Sequence, residues 1–211
     1  MNRSQPLLTS LYFNTGSPAH GPIPPSIGWA HDVNFKPNKL DRDGAKKLLV
    51  DAGHAAPVPV TITVTNSPLQ VRIAETLQSQ ANQAGFKVEI RQIDATSLIT
   101  VLRQRDFDLC MSPWSGRSDP DGNMFNHFTK TAPNNFAGWR SDAVNDLLVK
   151  ARSVFDPAER AALYRKAEEG VAAEQPMLFV HFDATIQAAS TKLDWTQYAD
   201  GAFRLQFAKL N

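Results

Sequence analysis

VPVTITVTNSPLQVRIAETLQSQANQAGFKVEI, residues 58–90, decides the fold class. Val58, Val60, Ile62 and Val64 alternate with Pro59, Thr61, Thr63 and Thr65. A β-branched run of period two reads as a strand. Ser67-Pro68 then sets a capping hydroxyl before a proline at the first helical position. Ile73, Leu77 and Ala81 form one stripe of the predicted helix, with Ala74 and Ala84 beside it, and Gly85 ends it. Alternation returns through Phe86, Val88, Ile90 and Ile93. Working outward, Ala95 to Arg105 reads as a short helix with Leu98, Ile99 and Leu102 inward, and Phe107 to Trp114 as the next strand. Strand, helix, strand, helix, strand at this spacing predicts an α/β unit with parallel pairing.

On the amino-terminal side, Asp41 is placed to cap a helix that buries Ala45, Leu48, Leu49 and Ala52 and stops at Gly53. Before it, residues 13–40 carry Gly16, Pro18, Gly21, Pro22, Pro24, Pro25, Gly28 and Pro37. Proline fixes φ and lacks a backbone donor, so this stretch is neither a long helix nor a central strand. It reads as an irregular segment covering or crossing a surface. On the carboxyl-terminal side, a loop is predicted from Ser115 to Arg140. A helix capped by Ser141 follows, burying Val144, Leu147, Leu148 and Ala151. The next opens with Asp156-Pro157-Ala158-Glu159, a capping box, and buries Leu163, Tyr164, Ala167 and Val171. Short strands are predicted at Met177 to Phe182 and at Ala202 to Phe207.

Composition narrows the function classes. Hydrophobic residues make up 42% of the 211, enough for a packed core. Lys+Arg is 22 against 21 Asp+Glu, a balance that argues against a dedicated nucleic-acid binder or a polybasic membrane-surface protein. One cysteine, Cys110, allows no internal disulfide, and its strand setting reads as small core packing rather than a nucleophile. No apolar run approaches the roughly 18–20 residues a membrane helix needs. The opening MNRSQPLLTSLYFN has no apolar stretch ending in a small-residue cleavage site, which fits either a cytosolic protein or a chain that is part of a longer product.

The densest polar-aromatic stretch runs from Trp114 to Asn123, just past the carboxyl end of a predicted parallel strand, where ligands dock in open α/β sheets. Trp114 offers a flat apolar face for stacking, Arg117 a bidentate fork for a carboxylate, and Asp119 a partner for an amine, with Ser115 beside them. The plainer reading is a solvated turn, since Asp-Pro and Asp-Gly favour turns. Asn135 and Trp139 form a second cluster, able to hydrogen-bond and stack on a ligand or to anchor their own loop. Asp119, Asp121 and Asn123 start like a calcium loop, but Gly122 comes two positions early and Lys130 stands where a bidentate glutamate is needed. His20, His31, His54, His127 and His181 contain no i, i+4 pair, and His181 reads as a semi-buried, hydrogen-bonded strand residue. No nucleophile elbow, phosphate-cradling lysine loop or dinucleotide glycine pattern occurs. The reading therefore assigns no metal, cofactor or catalytic residue.

Several segments together resemble the dipeptide- and oligopeptide-type extracellular solute-binding proteins of ABC importers, family 5. Met1-Asn2-Arg3 resembles their INR helix opening, and Gly21-Pro22-Ile23-Pro24-Pro25 their G-P-[IVL]-P-P segment. Asp41 to Gly53 resembles a D-P-x-K-A-K-x-L-L-x-x-A-G helix, and Phe107-Asp108, Trp114 and Asp119-Pro120-Asp121 an FD…W…DPD pattern. Asn135 to Leu148, Arg160 with Tyr164, and Pro176 match the segments that follow. The motifs keep family order along nearly the whole chain.

The resemblance implies a type II periplasmic-binding-protein lobe, α/β with a mixed sheet flanked by helices, corresponding to the carboxyl-terminal half of such proteins. It implies a crossing segment at 1–40, a ligand-binding lobe at 41–195, and a stretch at 196–211 that returns to the first lobe. The implied function is reversible capture, without chemistry, of peptides or similar small polar solutes in the periplasm, for delivery to a membrane permease. Apolar residues such as Trp114, Phe136 and Trp139, if left uncovered, would favour self-association. One position departs from the family. Where peptide-binding relatives carry an amine-pairing aspartate three residues after the loop tryptophan, this chain has Arg117. That favours an anionic or neutral ligand, or a peptide bound differently. Two other readings stay open on the residues: a hydrolase or transferase centred on Asp119, Asp121 and His127, and a free-standing cytosolic module that reuses the lobe.

Overall fold

The computed structural model describes residues 5–35, 40–198 and 201–210. Met1-Asn2-Arg3, Pro37 and the final Asn211 lie outside the described residues. In chain order the first elements are α1 (Gln5–Leu11), β1 (Ser17–Pro18), α2 (Arg42–Asp51), β2 (Val58–Thr65), α3 (Pro68–Asn82), β3 (Phe86–Ile93) and α4 (Leu98–Gln104). Then come β4 (Leu109–Cys110), α5 (Pro120–Phe128), α6 (Asp142–Ala151), α7 (Pro157–Glu174), β5 (His181–Phe182), β6 (Leu193–Asp194) and β7 (Lys209–Leu210). The chain divides into two compact units. The first is Met1–Asn14 with Pro37–Ser115, and the second is Thr15–Lys36 with Gly116–Asn211.

The first unit is the predicted α/β unit. Its sheet has the order β3-β2-β4, with both pairings parallel and Val58 opposite Phe86 at the start of the register. Ile62, Val64, Ala74 and Val88 form its buried core, with α3 laid over the sheet. The strict alternation expected of β2 gives way at its carboxyl end, where Thr63 and Thr65 are buried with Ile62 and Val64. A central parallel strand is covered on both faces, so its outward threonines need partners. Thr63 Oγ1 accepts from Arg91 Nε at 3.0 Å, and Thr65 Oγ1 donates to Gln70 Oε1 at 2.9 Å.

Three local expectations change here. Asp41 caps α2, accepting from the Gly44 N–H at 2.8 Å, yet the helix buries no residue and Leu48 is 70% exposed. Ser67 sits at the cap of α3 but makes no side-chain capping bond; Pro68 supplies the start. The helix read at Ala95 to Arg105 opens with a 3-10 turn at Ala95–Ser97, and of its expected inward residues only Leu102 is fully buried. Gln5–Leu11 forms a helix, as the resemblance of the opening residues to a family helix start implies, and it buries Leu7 and Leu8.

The second unit is built on helices. Ile23, Ile27, Ala30, Met124, Phe128, Val144, Leu148, Ala151, Leu163, Tyr164, Ala167 and Val171 share one core. The proline-rich stretch 15–35 is thus part of the packing, joined through β1 to β5 in an antiparallel pair. The α6 and α7 readings hold, including the Ser141 and Asp156 caps, with Leu147 only partly buried. Ser115 to Arg140 is not all loop: α5 lies within it, with Asp119 as its N-cap and Pro120 at its start. The Asp-Pro pair that reads as a turn is a helix opening, because Met124 and Phe128 have a core to enter. The strand expected at Met177 to Phe182 shrinks to β5, and Ala202 to Phe207 carries a 3-10 turn at Leu205–Phe207, with the strand displaced to β7.

Inside this packing Glu168 is 3% exposed. Its Oε1 lies against Gly21, where a methyl group would sit 2.6 Å away. Burial raises its pKa to about 8, opposed by a hydrogen bond from the Ile23 N–H and by Arg165, and reinforced by Asp32. Asp32 pairs with Arg165 at 3.2 Å, and His31 Nδ1 lies 2.8 Å from the Ile23 carbonyl.

Candidate functional site

The polar stretch after β4 begins in the first unit and continues into the second. Met111 extends the pairing, its N–H donating to the Thr63 carbonyl at 2.9 Å. Trp114, 41% exposed, and Ser115 follow at the carboxyl end of the parallel strands, in the first unit. Arg117, Asp119, Asn135 and Trp139 belong to the second.

Asp119 does two structural jobs. Its side chain caps α5 by accepting from the Asp121 N–H at 2.9 Å. Both carboxylate oxygens also accept from Arg160, at 2.7 and 2.8 Å. Burial alone would raise its pKa, but the Arg160 bonds and the Asp121 N–H bring it below the usual carboxylate value. Arg160 further donates to the Tyr164 hydroxyl at 3.0 Å and, through Nε, to the Ala151 carbonyl at 3.0 Å. Four donations to internal acceptors make Arg160 a brace between α5, α6 and α7. Tyr164, fully buried, has its pKa raised to about 12 by burial, against the pull of Arg160.

Asn135 and Trp139 likewise serve their own loop. Asn135 donates to the Thr129 and Trp139 carbonyls at 3.2 and 2.7 Å and accepts from the Trp139 N–H at 3.1 Å. The Trp139 ring meets Phe128 edge-on at 6.1 Å, and its Nε1 donates to Glu174 at 2.6 Å.

Arg117 is tied to its own loop as well, its Nη1 donating to the Gly116 carbonyl at 2.6 Å. Its backbone is held on both sides by the side chain of Asn123, a residue 3% exposed. The Arg117 N–H donates to Asn123 Oδ1 at 2.9 Å, and Asn123 Nδ2 donates to the Arg117 carbonyl at 3.0 Å. The aliphatic stem crosses Gly122, where a methyl group would come within 2.5 Å of Arg117 Cγ. The side chain itself is exposed and borders an open depression of about 460 Å³ lined by Arg117, Ser118, Asp119, Asp121, Gly122, Arg152 and Arg160. Arg152 Nε pairs with Asp121 at 3.3 Å, and its guanidinium stacks 4.2 Å above the Phe125 ring. Burial raises the Asp121 pKa, Arg152 opposing and Asp119 adding to it.

Sequence reasoning missed Gly122, Asn123, Arg152 and Arg160 as builders of this site. A signal existed for Arg160 in the matched Arg160/Tyr164 spacing; nothing local marks Arg152.

The remaining candidates are less suited to chemistry. Burial lowers the His127 pKa, with a backbone hydrogen bond at Asn123 opposing, and Asp121 and His127 lie about one and two-thirds turns apart on α5, on different faces. Burial raises the Cys110 thiol pKa, with Arg91 opposing. His181 is held by Asp183 at 2.8 Å. Among the described residues no group of three or more His, Cys, Asp or Glu could hold a metal ion, and no helix is long and apolar enough to cross a membrane.

The chain is 33% identical over 162 residues to di/tripeptide-binding protein 4 of Pseudomonas aeruginosa, covering 72% of this chain and 30% of that protein. It superposes with TM-score 0.78 and 27% identity on the periplasmic binding protein DppA from Helicobacter pylori in complex with peptide STSA, covering 85% of this chain and 36% of that one. A dipeptide binding protein from Pseudoalteromonas sp. SM9913 in complex with Met-Leu gives TM-score 0.83 over 98% of this chain and 43% of that one; at 22% identity it shows the fold alone. The chain thus spans about a third of the curated relative and under half of each structure. The model of the bacterial extracellular solute-binding proteins, family 5 Middle, matches residues 2–136, more than half of the sequence, and the chain belongs to that family.

Proposed function

We propose that this chain is the ligand-binding part of the substrate-binding component of an ABC importer. It captures peptides or similar small polar solutes in the periplasm, without chemistry, and a membrane permease receives them. The family match carries the reading. Its support in the structure is the exposed polar loop that follows β4, at the strand ends where α/β sheets take ligands. Trp114, Ser115 and Arg117 are the residues proposed to meet the solute. Asp119, Asn135 and Trp139 belong to the same proposal, although their polar groups also make bonds within the second unit. The division into a crossing segment at 1–40, a lobe at 41–195 and a returning segment at 196–211, with a companion lobe, belongs to the same proposal.

A hydrolase centred on Asp119, Asp121 and His127 is not favoured. Asp119 and Asp121 are each paired with arginine, and His127 lies on another face of α5.

The test is a deletion of the gene in its source cell, with uptake of a labelled peptide mixture and fractionation of the cells. The expected result is a periplasmic protein, lost uptake, and saturable binding that returns the solute unaltered. A cytosolic protein with normal uptake, or a solute returned cleaved, overturns the reading.

A further inference from the structure

We infer that Glu168 is a proton-operated latch: protonated, it fastens the proline-rich stretch 15–35 to α7, and ionised, it loosens that stretch. The inference goes beyond the solute-binding reading and does not depend on it.

The seat of the carboxyl is the first observation. Glu168 lies within the packing of α7 and is 3% exposed. It accepts from the Ile23 N–H. Its Oε1 lies so close to Gly21 that a methyl group there would come within 2.6 Å of it and 3.4 Å of the Phe35 ring. Such a seat leaves no room for water to follow a charge inward. A neutral acid fits it, whereas a carboxylate loses its hydration there.

The neighbouring charges offer little compensation. Asp32, from the stretch, and Arg165, one turn earlier on α7, act on the carboxyl with opposite signs. They pair with each other at 3.2 Å, so most of what each brings is cancelled. His20 and His31 are the other titratable groups of the stretch, and His31 Nδ1 lies 2.8 Å from the Ile23 carbonyl. Tyr164, a turn back on α7, has its pKa raised to about 12 by burial and brings no charge. From α6, Val144 packs on this helix at Gly170 and is apolar. Burial therefore dominates and raises the Glu168 pKa to about 8. The hold is complete below the ordinary 4.5, weakens above it, and is lost as pH rises through about 8.

The stretch is a part that a latch can act on. The chain on either side of it belongs to the first unit, so no sequence neighbour anchors it to the second. It is held by tertiary contacts: the Ala19 N–H donates to the Val180 carbonyl at 3.3 Å, and Trp29 meets Tyr164 edge-on at 6.4 Å. Arg160 lies 5.5 Å from the same Trp29 ring, so the stretch also covers the brace that holds Asp119.

The test is amide hydrogen exchange of the 211-residue chain at about pH 5.5 and about pH 8.5, corrected for the intrinsic pH dependence. Protection of Ala19 and Ile23 should fall about a hundredfold between the two. At the upper pH both should be less protected than Leu163 and Ala167 in α7. Glu168→Gln, uncharged throughout and of nearly the same shape, should keep the stretch protected at both values, and Glu168→Ala should lower its protection at both. Asp32→Asn should shrink the loss, because Arg165 is then released to meet the carboxylate. Protection that does not change with pH overturns the inference, as does a loss that survives Glu168→Gln or is undiminished in Asp32→Asn. Equal protection of the stretch and of α7 at the upper pH also overturns it, since the unit would then open as a whole.

Discussion

The two units of this chain are stabilised by different means. The first is a three-stranded parallel sheet with a small aliphatic core of Ile62, Val64, Ala74 and Val88, and its α2 helix buries nothing. The second packs a dozen buried residues from the 15–35 stretch and three helices around Tyr164. It also spends polar groups on long-range ties: Arg160 to Asp119, Trp139 to Glu174, and Glu168 against Gly21 and Ile23. Each unit is therefore vulnerable at a different place. Backbone pairing dominates the first, so single side chains matter less there. Packed volume and placed charges dominate the second, so single side chains matter more.

The sharpest contrast lies in the cores. Leu148→Ala, at a fully buried site in the second unit, should cost about 4 kcal/mol, against about 2 kcal/mol for Ile62→Ala in the smaller core of the first. Denaturant unfolding, read through backbone amides of each unit, checks both; equal costs would erase the distinction. Next comes pH. The folded pKa of Glu168 is raised to about 8, above the 4.5 of an ordinary glutamate, so folding favours the protonated acid. Stability is complete below 4.5 and is lost as pH rises through about 8. The loss should be on the order of a few kcal/mol between pH 5 and pH 9. Glu168→Gln should flatten the profile of the second unit and leave amides of the first unmoved. Asp32, Arg165, His20 and His31 are carried unchanged in that comparison. A profile as steep in the variant as in the parent would mean that another group titrates.

Smaller effects refine the picture. Arg160→Met should destabilise the second unit by about 2 kcal/mol, since the charged bonds it breaks are only partly shielded from water. Asp119→Asn beside it should recover little, if packing under Tyr164 matters more than charge; the double-variant cycle measures the coupling. The two Pro-initiated helices give the finest comparison. Asp156→Ala should cost about 1 kcal/mol, because its side chain accepts from the Glu159 N–H at 2.8 Å. Ser67→Ala, where no capping bond is made, should cost close to nothing. Thermal unfolding of the pair reads this directly.

Legibility followed the same division. Residues 58–90 spelled out β2, α3 and β3 because period-two and helical spacings are local. α6 and α7 were legible for the same reason, down to the Asp156 cap. α5 was not: Asp119-Pro120-Asp121-Gly122 satisfies turn chemistry and helix-start chemistry equally well, and only the core that receives Met124 and Phe128 chooses between them. The exposed face of α2 shows the converse, a good apolar pattern with nothing in either described unit to bury it. At the candidate site, Arg117 and Trp114 stood out by residue type. The roles of Asp119, Asn135 and Trp139 did not, since a carboxylate forty-one positions from its arginine carries no local mark of that pairing.

Local patterns were enough for the α/β class, the parallel unit, the helix caps at Asp41, Ser141 and Asp156, and a family resemblance spread along the chain. These are properties of neighbours within a few residues, or of motif order, and need no third dimension. Tertiary structure alone decided which polar residues face inward. It committed Asp119 to Arg160, buried Glu168 under Gly21, and mounted Arg117 on Gly122 and Asn123. Each outcome depends on segments distant in sequence meeting in space, and on the cost of desolvating a charge, which no local pattern encodes.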